Sequence, residues 1–178
     1  VKKERASEIR YRLDPARIKA LEFAGVFATE DGSELTLDAR EQQCKAIRDI
    51  KIVLRQPVQK AVAQVLEENY PASVSAEALL SAVAKRTGES REAVEQVTMA
   101  MLEELLILGA LRIRRTRPDA ASKIPAMPQA LASVRRALSP SSPVQVAMNA
   151  CNQWHESVGL STLELSLLPR LDGEHSHA

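Results

Sequence analysis

Between Pro57 and Arg117 the chain writes three helical segments in succession and then a strand, and this run constrains the fold more than any other feature. VQKAVAQVLEENY places Val58, Ala61, Val62, Val65 and Leu66 on one helical face. SAEALLSAVAKRTG follows a short ASVS link. Ser75 can accept a hydrogen bond from the first turn, Glu77 complements the positive helix start, and Gly88 provides a stop. Ser90 then opens SREAVEQVTMAMLEELLIL, in which Ala93, Val94, Val97, Met101, Leu105 and Leu108 keep helical spacing until Gly109. ALRIRRTR alternates as a strand would, with Leu111 and Ile113 expected inward and Arg112 and Arg114 outward. Three helices closed by a strand predict a winged-helix-like core over residues 56–118.

The flanks read differently. SEIRYRL at residues 7–13 alternates apolar and charged positions, which predicts a strand. Asp14-Pro15 is a helix start, because Asp can cap and Pro at the first helical position gives up only an N–H that has no partner there. LEFAGVFATEDGSELTLD predicts two strands joined by a turn at Asp31-Gly32. AREQQCKAIRD is polar and predicts a helix; IKIVL predicts another strand. Residues 1–55 are therefore expected to form a small β-rich N-terminal piece. PDAASKIPAMPQA, from Pro118 to Ala130, and SPSSP, from Ser139 to Pro143, make residues 119–143 a linker or draped loop, broken by ALASVRRAL, which predicts one or two helical turns. Residues 144–178 are expected to form a C-terminal strand–helix segment. The whole is an α+β fold, mostly helical.

Composition matters mainly for what it excludes. The net charge of +1 removes global basicity as an argument for nucleic acid or membrane binding. Aromatic residues are 3% of the chain, so the core must come from Leu, Val, Ile and Ala, and stacking on single-stranded nucleic acid has few platforms. The longest apolar run, LLILGAL, falls far short of the roughly 20 residues of a membrane span. No charged stretch followed by an apolar one opens the chain, and it begins with Val1, as a processed chain or a fragment would. Cys44 and Cys151 match no metal spacing and read as free thiols of a reducing, cytoplasmic compartment. The six glycines are too dispersed for GxGxxG or a P-loop, so no nucleotide cofactor and no catalytic residue is assigned. The three histidines form no HxxxH or HExxH pattern, so no metal site is assigned either.

The chemistry-bearing cluster is NQWHESVGLSTLELSLLPRLDG, residues 152–173. On a strand, His155 and Glu156 would point to opposite faces and could not act together. Hydrogen bonding near a strand end is the structural reading, and a ligand or substrate contact the functional one. Trp154, the lone Trp, suits a core or an interface. Asn152, Trp154, His155 and Glu156 are the candidate contacts for a protein partner. A thiol hydrolase using Cys151 and His155 rests only on their nearness in sequence.

This stretch resembles a signature of bacterial AdoMet-dependent protein methyltransferases, the family that includes the rickettsial outer-membrane-protein lysine methyltransferases. The matching positions are Asn152, His155, Glu156, Val158, Leu160, Leu167, Leu168, Leu171, Asp172 and Gly173. RYRLDPARIKAL, at residues 10–21, resembles the segment that opens the non-catalytic region of that family. The family more often has a small or basic residue where Trp154 stands. The resemblance implies a methyltransferase regulatory domain, not an enzyme by itself. It would regulate or position a protein substrate for a methyltransferase domain of the same parent chain, where AdoMet would bind. A homodimer is compatible with this. The alternative, a winged-helix nucleic-acid-binding protein, rests on Arg112, Arg114, Arg115 and Arg117, but Glu92, Glu95, Glu103 and Glu104 on the third helix would repel phosphates.

Overall fold

The structure is a computed structural model and describes residues 14–116, 125–138, 149–152, 154 and 156–176. The fold is α+β. The chain divides into two compact units, residues 1–120 and 121–178. The strand expected at residues 7–13 and Arg117 lie outside the described residues.

The first unit is built on the three expected helices: α2 (Pro57–Asn69), α3 (Ala76–Thr87) and α4 (Arg91–Leu108). Their ends follow the local chemistry. Ser75 Oγ accepts from Ala78 N at 3.2 Å, and Ser90 Oγ accepts from Ala93 N at 3.4 Å. Gly88 and Gly109 close α3 and α4 with φ of 72° and 71°, a left-handed conformation that a side chain would strain. Ahead of them, α1 (Pro15–Lys19) is capped by Asp14, whose carboxylate accepts from Ala16 N at 3.0 Å.

Two small sheets complete the unit. In one, β1 (Glu22–Ala24) lies between β5 (Val74–Ser75) and β6 (Arg112–Arg114), antiparallel to both. In the other, β3 (Gln42–Lys45) lies between β2 (Ala28–Thr29) and β4 (Lys51–Leu54). Residues before position 55 thus share one core with the helices. Phe23, Phe27, Cys44 and Leu54 are buried in the same cluster as Val62, Leu66, Leu79, Val94, Leu102 and Leu105. Gly25 is needed for this packing, since a Cβ there would stand 2.8 Å from the Phe27 ring and 2.9 Å from Leu111 Cδ2.

Three local expectations are corrected. Residues 39–49 are expected to be helical from their polar sequence, but Gln42–Lys45 form β3, because buried Cys44 alternates with exposed Gln43 and Lys45 and pairs with Ile52 on one side and Thr29 on the other. The second strand expected after Asp31-Gly32 does not form: residues 33–41 make no backbone–backbone hydrogen bond among the described residues. Glutamine side chains hold that backbone instead. Gln42 Oε1 accepts from Thr36 N at 2.9 Å, Gln42 Nε2 donates to Glu34 O at 3.1 Å, and Gln64 Nε2 donates to Leu35 O at 2.6 Å. Third, Leu111 is buried as expected, but Ile113 is 45% exposed. Ile113 shares the inward face with Phe23, yet β6 is the sheet's edge strand, so the sheet covers it from one side only.

In the second unit, α5 (Ala132–Ala137) supplies the helical turns expected there. An antiparallel hairpin of β7 (Asn149–Cys151) and β8 (Ser157–Gly159) leads into α6 (Thr162–Leu167) and a 3-10 turn at Leu168–Arg170. Ser161 and Glu164 cap α6 reciprocally: Ser161 N donates to Glu164 Oε2 at 2.7 Å, and Glu164 N donates to Ser161 Oγ at 3.3 Å. The chain then pairs back on residues 128–130 through Ala130 N to Leu171 O at 2.8 Å and Gly173 N to Pro128 O at 3.1 Å.

Candidate functional site

The candidate cluster sits at the tip of the β7–β8 hairpin. Glu156 therefore lies next to the start of β8, in the turn that closes the hairpin and not within a strand. Asn152 organises this turn. Its Oδ1 accepts from Trp154 N at 2.8 Å and from Glu156 N at 3.0 Å, and its Nδ2 donates to Glu156 Oε2 at 3.0 Å. The backbone closes the same loop through Asn152 N to Glu156 O at 3.0 Å. A side-chain carbonyl that accepts from the backbone two residues on is a turn device that Asn provides by itself. Asn152, Trp154 and Glu156 are brought together, each half-buried. His155 and the side chain of Cys151 lie outside the described residues, so the His155–Glu156 pairing and the Cys151–His155 hydrolase reading fall there too.

Beside this turn is an apolar recess of about 210 Å³, lined by Leu131, Val134, Val158, Leu160 and Leu168, with Asn152 at its margin. In the same unit, Asp172 accepts from Glu174 N at 2.9 Å and stands 3.0 Å from His175 Nδ1. The His175 contact holds the Asp172 carboxyl down at about 2, with Glu174 N contributing, and Asp172 raises His175 in return.

The first unit has a larger cleft, of about 590 Å³, whose walls include Phe27, Leu35, Gln64, Glu67, Glu68 and Arg86. Arg86 donates to Gln64 Oε1 at 3.2 Å and to Glu68 Oε2 at 2.8 Å. Burial, and secondarily the neighbouring Glu68 charge, pushes the Glu67 carboxyl up. Burial likewise raises the Cys44 thiol, with Glu67 adding to it, which is the opposite of an activated nucleophile. Lys60, next to this cleft on α2, escaped sequence reasoning. It is fully buried, and its Nζ donates to Asp38 O at 2.8 Å, Asp38 Oδ1 at 3.1 Å and Arg40 O at 2.5 Å. The signal was its spacing: Gln56, Lys60 and Gln64 recur every four residues, so they form one polar stripe along the helix.

Of the arginines weighed for nucleic acid, Arg112 is engaged within the first unit, and Arg115 is exposed. Arg112 stacks on the Tyr70 ring at 5.6 Å and donates to its hydroxyl at 2.9 Å. On α4, Arg91 is tied to Glu77 at 2.5 Å and to Ser81 at 3.1 Å, while Glu92 and Glu104 are exposed. Among the described residues, no group of three or more His, Cys, Asp or Glu could hold a metal ion, and no helix is long and apolar enough to cross a membrane.

No protein-family model matches the sequence, and no curated protein matches it. Solved structures do resemble it. A structure of PKMT2 from Rickettsia typhi in complex with AdoHcy matches with a TM-score of 0.72 at 20% identity, and a second structure of PKMT2 matches with 0.75 at 18%. Each match covers 94% of this chain and 34% of the PKMT2 chain, so the chain spans about a third of the length of that methyltransferase. At this identity the likeness is one of fold.

Proposed function

We propose that this chain is a non-catalytic regulatory or substrate-positioning module of a bacterial, cytoplasmic AdoMet-dependent protein methyltransferase. The observation that carries the reading is the extent of the fold likeness: nearly all of this chain corresponds to about a third of PKMT2. The signature of residues 152–173 adds to it, because Asn152 and Glu156 are used to build a turn and not to present a reactive pair. The dispersed glycines give the sequence no phosphate- or cofactor-cradling loop. On this reading, AdoMet binds a methyltransferase domain of the parent chain, and Trp154 and its neighbours contact that domain or the protein substrate.

The nucleic-acid alternative is not favoured, since the third helix presents carboxylates outward and Arg112 is occupied by Tyr70. Two measurements test the proposal. Calorimetric titration of this chain with AdoMet should show no heat of binding; micromolar binding would refute the statement that the cofactor site lies elsewhere. In the parent protein, deletion of this region should leave AdoMet affinity in place and abolish or redirect methylation of a protein acceptor. Unchanged methylation would refute the positioning role.

A further inference from the structure

Residues 34–40 run along the body of the first unit without belonging to either of its sheets. Among the described residues, the hydrogen bonds that the body makes to this segment start from side chains. Gln42 holds Glu34 and Thr36, Gln64 holds Leu35, and the buried Lys60 ammonium holds Asp38 and Arg40 through three acceptors. Its apolar anchors, Leu35 and Leu37, are only partly buried. Glu34 and Leu35 also line the 590 Å³ cleft, together with Gln64, Glu67 and Arg86. A segment with no ladder bonds and little apolar burial sits at the low end of local stability, whereas the helices beneath it open only with the core.

We infer that residues 34–40 are a latched strap that swings away from the first unit without global unfolding, opening one wall of the cleft, and that Lys60 is the latch. The chemistry of the latch gives it two states. Closed, all three N–H donors of Lys60 are used, and Asp38 supplies a carboxylate beside the ammonium. Open, the carbonyls of Asp38 and Arg40 return to water, and Lys60 exchanges protein acceptors for solvent. An unpaired buried ammonium is costly, so removing the strap's acceptors must admit water to Lys60, which couples strap release to wetting of that side of α2. Gln64, one turn further along α2, joins the same device at the cleft, because it holds Leu35 and accepts from Arg86. The inference is independent of the proposed methyltransferase role.

Amide hydrogen exchange on the whole chain, labelled with ¹⁵N, tests it. The reporter is Thr36 N–H, whose acceptor is the Gln42 side chain, and the references are Leu66 in α2 and Met101 in α4. Thr36 should exchange at least about 100-fold faster than the references after correction for intrinsic rates, and with a shallower dependence on urea, as a subglobal opening requires. Lys60→Met keeps the apolar stem but removes the latch. It should speed Thr36 exchange by about 10-fold or more while leaving Met101 within about twofold. Gln64→Leu should act in the same direction and covers the case in which the Lys60 variant fails to fold. Protection of Thr36 equal to that of Leu66 in the unaltered chain would overturn the inference. So would variants that speed all three amides equally.

Discussion

Leu105→Ala tests the packing of the three helices most directly. Leu105 is 3% exposed and belongs to the same buried cluster as Val62, Val65, Met101 and Leu102, and α2 and α4 pack against one another. Alanine has at least the helix propensity of leucine, so the change leaves the helix itself favoured. It also keeps the Leu105 carbonyl, which accepts from Ala110 N at 2.8 Å in the helix-end turn. The loss is then that of the side chain. Three carbons removed at about 0.8 kcal/mol each cost about 2.4 kcal/mol in transfer free energy. The residual cavity brings the total into the range of about 2–5 kcal/mol. Leu105 lies in the last turn of α4, where the chain can relax inward, which places the value in the lower half of that range. Glu104 is the control: it is exposed, and Glu104→Ala should change stability by less than about 0.5 kcal/mol. Urea unfolding followed by circular dichroism at the helical band measures both, since α2, α3 and α4 carry most of the helical residues described. Equal and small losses would refute the assignment of Leu105 to the core and the three-helix packing with it.

Arg48 and Asp49, in the turn between β3 and β4, have φ of 63° and 58°, a left-handed pair of the kind that favours Asn-Gly in a two-residue hairpin. Asp49→Gly should therefore raise stability by about 0.5–1 kcal/mol in a thermal melt, and a clear loss would show that the Asp49 side chain contributes more than its backbone costs. Asp172 and His175 give a pH signature. Asp172 is depressed from 3.8 to about 2, so its contribution is full above 3.8 and is lost as pH falls through about 2. His175 is raised from 6.5, so its contribution is full below 6.5 and is lost as pH rises through the raised value. The pair is thus strongest between about pH 4 and 6.5. The His175 ring resonance followed by NMR should titrate above 6.5, and Asp172→Asn should lower that midpoint; an unchanged midpoint would remove Asp172 as its cause.

The helical core was legible because its signals are local. Ser75 and Ser90 cap with their own side chains, Gly88 and Gly109 stop with their own backbones, and Val62, Val65, Val94 and Met101 mark the buried faces by spacing alone. The segment around β3 was not. Arg40, Glu41, Gln42, Gln43 and Lys45 are good helix formers, and only pairing with β2 and β4 makes the stretch a strand. Its hairpin turn was equally hidden, because Arg48-Asp49 carries no Asn-Gly signal. Lys60 was missed for a related reason. A lysine on an amphipathic helix normally extends into solvent, and what buries this one is a segment some 20 residues earlier in the chain, Asp38 and Arg40.

The candidate cluster shows how a motif of reactive residue types can be structural chemistry. Asn152 has one side-chain carbonyl and one amide group to offer. The carbonyl already accepts from two backbone N–H groups, and the amide already donates to Glu156. The four-residue interval from Asn152 to Glu156 is thus the interval that closes this turn, with backbone and side chain bonded across the same gap. That places constraint on positions 152 and 156 without requiring chemistry of either. The Trp154 N–H is held by Asn152 in the same turn. A turn in which Asn152 bonds Trp154 and Glu156 beside an apolar recess suits recognition, because side chains already held in place lose less ordering entropy when a partner binds.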